Sequence, residues 1–201
     1  MTKPTSICVF GDSTAWGAWD IEKGGWVNRL WLDVGYRDKD YVEIYNLSIS
    51  GGTSKTILDR FESEAKARSA DALIFQTGGN DTAYDNDTKV HQISKEKFKE
   101  NLEEIIRRAK LITDKICFVG FKNADETKTL PVSWCNLCYA NKDLQEYEVV
   151  MKEVCENNRI LFMDLAPLEN VDFHDGLHLN AVGHQKIFEQ VKLSLERNKW
   201  I

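Results

Sequence analysis

The stretch Ile7-Cys8-Val9-Phe10-Gly11-Asp12-Ser13 joins a continuously apolar run to a polar turn, and it indicates the fold of the chain. An apolar run of this kind that ends at a glycine predicts a β-strand buried on both faces. Comparable β-rich runs recur along the 201 residues, separated by amphipathic stretches. They predict four further strands, at residues 42–45, 72–75, 116–119 and 160–163.

Three amphipathic stretches predict helices, at residues 95–113, 143–157 and 181–197. Each carries apolar side chains at helical spacing, such as Val182 and Ile187 in the last one, and we expect these faces to be buried. Strands that alternate with helices form a parallel sheet, because right-handed crossovers place the helices on its faces. We therefore predict one α/β domain over residues 1–201, a three-layer α/β/α, doubly wound sheet of about five parallel strands.

Charge and hydropathy exclude several partners. The net charge is −6, which argues against nucleic acid or an anionic membrane surface, because both attract basic faces. No run of about 18 apolar residues is present, so we expect no integral membrane segment. The residues before the first strand contain no apolar stretch of signal-peptide length, which predicts a cytoplasmic location. The sequence leaves the oligomeric state open.

The five cysteines do not suggest a disulfide framework, because their number is odd and no signal peptide is recognisable. Cys135 and Cys138 have the spacing of redox and zinc sites. No second cysteine pair accompanies them, and no histidine lies in the surrounding loop, so we expect free thiols and no metal. They belong to residues 122–142, the longest irregular segment, which predicts either a lid over a site or a surface excursion.

Three polar motifs each follow a predicted strand, where parallel sheets gather functional residues. Ser13 follows the first strand and would act as a nucleophile or as a helix N-cap. Gly51 follows the second and would either present a backbone N–H to a site or turn the chain. Asn80 follows the third and would donate from its amide to an oxyanion or form a turn.

The fourth motif, Asp175-Gly176-Leu177-His178, precedes the last predicted helix. Among the four histidines only His178 has an acid three residues before it, which would hold the ring and fix its tautomer. We expect His174 to be a surface or rim residue beside this motif, and His91 and His184 to be solvated. A hydroxyl, an imidazole and a carboxylate form an activated nucleophile, so the chain is predicted to be a hydrolase if its two ends meet.

In their order along the chain, the four motifs resemble those of the SGNH (GDSL-type) hydrolases, a family of serine esterases and lipases. The matching blocks are residues 11–13, 48–51, 78–81 and 175–178. One departure is Thr14, which stands where the family signature has the leucine that names it, at a position that commonly varies.

The resemblance implies a flavodoxin-like fold and a function for each block. It implies Ser13 as nucleophile, His178 as base and Asp175 as the partner of that base. The oxyanion hole would consist of Ser13, Gly51 and Asn80, with Gly52 a weaker candidate than Gly51. No metal or organic cofactor is implied.

We expect the substrate to be a small soluble carboxylic ester with a short acyl or O-acetyl group, because the chain lacks a long apolar lid helix. An acyl thioester or a lysophospholipid-type lipid is the alternative substrate, and a non-catalytic binding module is the alternative function. Aromatic side chains suit sugar rings and acyl chains alike, and Trp16 and Trp134 are the first candidates. Further candidates for substrate contact or an aromatic wall are Trp19, Trp26, Trp31, Asp12 and His174.

A nucleotide- or flavin-binding domain would use the same kind of sheet. Residues 11–17 are short of glycines and lack the lysine of the phosphate-binding motif GxxxxGK[ST]. The bulky Trp16 would also obstruct a phosphate in that loop. We therefore expect neither cofactor.

Overall fold

The computed structural model describes residues 3–35, 41–121 and 123–201. Its strands are β1 (Ser6–Gly11), β2 (Glu43–Asn46), β3 (Ala72–Gln76), β4 (Tyr84–Asp85), β5 (Ile116–Val119), β6 (Leu137–Cys138) and β7 (Leu161–Met163). Five of them form a parallel sheet in the order β2-β1-β3-β5-β7. In this doubly wound order the chain reverses its direction of winding at β1 and β3, and ligand sites form at the carboxyl ends of strands at such a point.

Helices cover both faces of the sheet. They are α1 (Ser13–Trp16), α2 (Gly25–Gly35), α3 (Ser54–Ala67), α4 (Gly79–Thr82), α5 (Lys95–Ala109), α6 (Glu126–Thr129), α7 (Asn141–Asn158) and α8 (Ala181–Arg197), with a 3₁₀ turn at Asn170–Asp172. Helices α2 and α8 pack on one face, and α3, α5 and α7 pack on the other.

Each central strand contributes to two cores, which explains its continuous apolar sequence. In β1, Ile7 and Val9 join the core beneath α2 and α8, whereas Cys8 and Phe10 join the core beneath α3, α5 and α7. Neighbouring side chains of a strand point to opposite faces, so a strand covered on both sides has no position for a solvated residue.

The predicted fold class is confirmed, and so are the five parallel strands, with small shifts at their ends. Helix α8 has the predicted bounds, whereas α5 stops at Ala109. Two predictions on α8 are wrong. Val182 is 58% exposed and does not belong to the core, and His184 is fully buried rather than solvated. The ring of His184 lies beneath residues 17–24, where its Nε2 hydrogen-bonds the carbonyl of Ala18 at 2.9 Å.

His91 also differs from the expected solvated residue. It is half-buried, and its Nδ1 hydrogen-bonds the carbonyl of Thr82 at 2.7 Å. The ring packs between Tyr84 and Tyr147. His91 is therefore a packing residue beside α4.

The segment predicted to be irregular has secondary structure of its own over residues 123–142; residue 122 lies outside the described residues. It contains α6 and β6, and β6 pairs antiparallel with β4. Val132 and Tyr139 pack there against Ala83. All five cysteines are free, with Cys135 exposed and Cys138 buried.

Metal-binding and membrane-spanning features are both absent from residues 3–35, 41–121 and 123–201. No cluster of His, Cys, Asp or Glu among them could hold a metal ion. In the same part of the chain, no helix combines the length and apolar character needed to cross a bilayer.

Candidate active site

Ser13 is the first residue of α1, which follows β1 at the carboxyl edge of the sheet. Asp12, and not Ser13, caps the helix: its Oδ1 accepts a hydrogen bond from the N–H of Thr14 at 2.9 Å. The hydroxyl of Ser13 is consequently not used for capping. Instead, Ser13 Oγ lies 3.0 Å from His178 Nε2, so the two ends of the chain meet at this point.

The loop before α8 holds His178 through a local turn. Asp175 Oδ1 accepts hydrogen bonds from the N–H groups of Leu177 and His178, at 3.0 and 2.8 Å. Gly176 has φ 97°, a left-handed conformation that favours glycine in such a turn. The second oxygen, Asp175 Oδ2, lies 2.8 Å from His178 Nδ1.

These contacts fix the protonation pattern of the site. Burial raises the pKa of Asp175, but the hydrogen bonds from the side chain and backbone of His178 outweigh it, and the pKa is lowered to about 2. The carboxylate is therefore ionised at neutral pH and accepts the Nδ1 proton of His178. The lone pair of Nε2 then faces Ser13, whose hydroxyl donates to it.

The glycine turn after β2 borders the same site. Gly51 has φ 76°, whereas a Cβ at this position would meet no atom within 4 Å. The backbone conformation, rather than a lack of space for a side chain, is therefore what favours glycine here. The N–H of Gly52 donates to the carbonyl of Ile49 at 2.9 Å, so it is already used within the turn.

Asn80 lies on α4, directly after β3, and is almost completely buried. Its Nδ2 donates to the carbonyl of Gly52 at 3.0 Å, which ties the third motif to the second. The adjacent Asp81 holds the start of α3 by accepting hydrogen bonds from the N–H and the hydroxyl of Ser54. Two of the four motifs are thus joined by buried polar contacts beneath the site.

An open cleft of about 620 Å³ surrounds these groups. Three half-exposed tryptophans form its walls: Trp16, Trp19 and Trp134. The other lining residues are Ser13, Ala18, Ile21, Ser50, Gly51, Asn80, Tyr139, Leu177 and His178. All members of the predicted triad and oxyanion hole except Asp175 therefore border one space.

Four of the expected substrate contacts lie outside this lining. Trp26 is fully buried in the core, where its Nε1 donates to Gln76 Oε1 at 2.8 Å, because α2 turns it toward the sheet. Trp31 is on the outer part of α2. Asp12 points behind the nucleophile turn, and His174 is exposed at the rim, in line with its expected position.

Comparison with protein-family models gives a match to the GDSL-like Lipase/Acylhydrolase family over residues 9–186. The chain belongs to this family. The predicted SGNH (GDSL-type) hydrolase is therefore confirmed, and with it the class of carboxylic ester hydrolases. A search of curated protein sequences gives no significant match.

Solved structures of similar fold cover nearly the whole acylhydrolase. The lipase/acylhydrolase from Enterococcus faecalis has a TM-score of 0.78 at 22% identity, over 96% of each chain. Axe2, an acetylxylan esterase from Geobacillus stearothermophilus, has a TM-score of 0.76 at 18% identity, over 96% of this chain and 94% of its own. The esterase EstA from Pseudoalteromonas sp. has a TM-score of 0.74 at 17% identity, over 96% of this chain and 97% of its own. At these identities the similarity concerns the fold.

A second, smaller cavity lies behind the nucleophile turn of the acylhydrolase. Its volume is about 70 Å³, and apolar side chains, chiefly leucines, form more than half of its lining. Asp12 faces this cavity, and burial raises its pKa to about 6 despite the hydrogen bond from the N–H of Thr14. Because this carboxyl lies outside the cleft, a structural function as helix cap accounts for it better than substrate contact.

Trp19 lines the cleft and also contacts Asp175, a contact that the sequence did not indicate. Its Nε1 donates to Asp175 Oδ2 at 3.2 Å, the oxygen that also accepts from His178. Its ring stacks on that of His174, with centroids 4.4 Å apart.

The backbone of Trp19 is held in place by its neighbours. Trp19 has φ 65°, an unusual conformation for a bulky residue. Both neighbours are anchored, since the Ala18 carbonyl bonds His184 and the Asp20 carboxylate pairs with Arg29.

We expect Trp19→Phe to lower kcat/KM of the acylhydrolase by about threefold to tenfold, the size of one net hydrogen bond. Phenylalanine keeps an aromatic ring that can stack on His174, but this ring is smaller than the indole and lacks the N–H that donates to Asp175. The measurement is hydrolysis of p-nitrophenyl acetate. The matched control is Trp31→Phe, which changes a half-exposed tryptophan outside the cleft. Equal rates for both variants would contradict a function of the Trp19 N–H.

Proposed function

We propose that the protein hydrolyses a carboxylic ester of a small soluble substrate, with a short acyl or O-acetyl group, through an acyl-enzyme on Ser13. The observation that carries this proposal is the unbroken chain of contacts from Asp175 Oδ2 to His178 Nδ1, 2.8 Å, and from His178 Nε2 to Ser13 Oγ, 3.0 Å. Such a chain is the geometry by which a weak serine nucleophile is activated.

In the first half of the reaction, Ser13 Oγ attacks the ester carbonyl carbon while His178 Nε2 takes the hydroxyl proton. Asp175 stabilises the imidazolium that forms. The N–H groups of Ser13 and Gly51 and the amide of Asn80 donate to the oxyanion of the tetrahedral intermediate. The bond to the alcohol oxygen then breaks, and the alcohol leaves with the proton from His178.

In the second half, water replaces the alcohol. His178 Nε2 takes a proton from the water as its oxygen attacks the acyl carbon of the Ser13 ester. The tetrahedral intermediate collapses, the bond to Ser13 Oγ breaks, and the serine regains its proton from His178. The carboxylic acid leaves, and the protonation states at the end equal those at the start.

The form of the cleft supports a small substrate. Its walls are flat indole rings at the surface rather than a deep apolar tunnel. Helix α6, in the segment beside the cleft, has only four residues and is no apolar lid over Ser13. Axe2, which shares the fold, is an acetylxylan esterase, and this agrees with a short acyl group.

The test combines covalent labelling with a substrate panel. A fluorophosphonate probe is expected to modify Ser13, located by peptide mass spectrometry, and to leave Ser13→Ala unlabelled. Among p-nitrophenyl esters we expect acetate and butyrate to be cleaved faster than octanoate, and faster than an acyl-CoA thioester. Labelling at another residue would overturn the nucleophile assignment. Faster cleavage of octanoate or of the thioester would overturn the substrate class.

Two broader predictions belong to the same proposal. A cytoplasmic location agrees with five cysteines that are all free thiols. A single domain over residues 1–201 agrees with the family match, which extends from residue 9 to residue 186.

A further inference from the structure

We propose that Tyr139 is a positioning residue for the oxyanion hole: its hydroxyl holds the Asn80 amide in the orientation that presents an N–H to the developing oxyanion. This inference rests on the proposed function, because it assigns Asn80 a donor role in ester hydrolysis. Tyr139 lies in the segment predicted from sequence to be irregular, and no sequence motif pointed to it.

The contacts of Asn80 determine which way its amide faces. Tyr139 Oη donates to Asn80 Oδ1 at 3.1 Å, and Asn80 Nδ2 donates to the carbonyl of Gly52 at 3.0 Å. An amide nitrogen carries two N–H groups, so one remains for the cleft that Asn80 lines together with Ser13. If the amide were flipped, Oδ1 would face the carbonyl of Gly52, and two acceptors would oppose each other.

The hydroxyl of Tyr139 is suited to be a permanent donor. The residue is 5% exposed, and burial raises its pKa well above the ordinary value, so the phenol remains protonated at neutral pH. Asn80 is 8% exposed. A hydrogen bond between two buried groups is costly to leave unmade, which makes the flipped amide unfavourable.

The fold joins the two partners through one small structural unit. Helix α4, which carries Asn80, leads directly into β4, and β4 pairs with β6. Tyr139 follows β6, and its backbone is tied to Thr129 in both directions, by N–H to carbonyl and by carbonyl to hydroxyl, each at 2.9 Å. The hydroxyl and the amide are therefore held at a fixed separation, as a preorganised oxyanion hole requires.

The test is a double-mutant cycle on p-nitrophenyl acetate hydrolysis. We expect Tyr139→Phe to lower kcat about tenfold with KM within about twofold, because the ring remains and only transition-state stabilisation is lost. Asn80→Ala alone is expected to lower kcat by about 10²–10³. The double variant is expected to match Asn80→Ala, since the hydroxyl acts only through the amide.

The matched control is Tyr147→Phe, which also removes a buried hydroxyl but one that donates to the carbonyl of Ile93 at 2.7 Å, away from the cleft. Its kcat is expected to stay within about twofold of the parent, and thermal unfolding of each variant separates loss of fold from loss of rate. The positioning function of Tyr139 would be overturned if the kcat loss of the double variant equalled the product of the two single losses. An unchanged kcat in Tyr139→Phe would overturn it as well. If Ser13→Ala retains activity, the proposed function itself fails, and the two failures are thereby distinguished.

Discussion

Ser13→Ala, His178→Ala and the variant with both changes are expected to lose the same factor in kcat/KM, on the order of 10⁴–10⁶. The physical reason is that the two side chains act as one unit. The hydroxyl is a poor nucleophile without the base at 3.0 Å, and the base has no proton to take without the hydroxyl. Once either side chain has been replaced, replacing the other causes no further loss of kcat/KM.

Steady-state hydrolysis of p-nitrophenyl acetate gives kcat/KM for the parent and the three variants. The unfolding transition of each variant shows that the protein is folded. Ser63→Ala is the matched serine control, since that hydroxyl is exposed on α3 and donates to the carbonyl of Arg60 at 2.9 Å. It should retain the parental rate. If the losses of the two active-site variants multiply, Ser13 and His178 act separately and the acyl-enzyme mechanism is wrong.

The sequence predicted the sheet because strands covered on both faces must be apolar along their central residues, as in β1, β3 and β5. It predicted the grouping of the first three motifs because the carboxyl ends of parallel strands lie at one edge. Such regularities are local in the chain, so a sequence displays them directly. The contact between Ser13 and His178 was only a condition of the predicted hydrolase, because no local pattern says that the two ends of a chain meet.

Tyr139 and Trp19 show what a sequence does not display. Their contacts, with Asn80 and Asp175, cross 59 and 156 positions of the chain. Neither depends on a spacing or a periodicity, and a tyrosine or tryptophan in a loop has no local pattern that distinguishes a hydrogen-bond donor from a packing residue. His184 was misjudged for a related reason, because the loop that buries it comes from the other end of the chain.

Asp20→Ala is expected to lower the free energy of unfolding by about 3–5 kcal/mol, because it leaves a buried guanidinium without its counter-ion. Asp20 Oδ2 accepts from Arg29 Nε at 2.8 Å and from the N–H of Gly25 at 3.0 Å, and both side chains are nearly inaccessible. Arg29 Nη2 also donates to the carbonyl of Ala181 at 3.2 Å, so the pair joins residues 17–24 to α2 and α8. Urea denaturation at pH 7 measures the loss.

The matched control for this prediction is Asp59→Ala, which breaks an exposed pair with Lys55 on one helix and should cost about 0.5 kcal/mol or less. The dependence on pH gives a second check. Burial raises the pKa of Asp20, but the hydrogen bond from Arg29 and those from the backbone outweigh it, and the pKa is lowered below 3.8. The ionised carboxylate therefore stabilises the fold above that value, and the parent should lose its advantage over Asp20→Ala as the pH falls through the lowered pKa. If Asp20→Ala costs no more than Asp59→Ala at pH 7, the loop that carries Trp19 is held by other contacts.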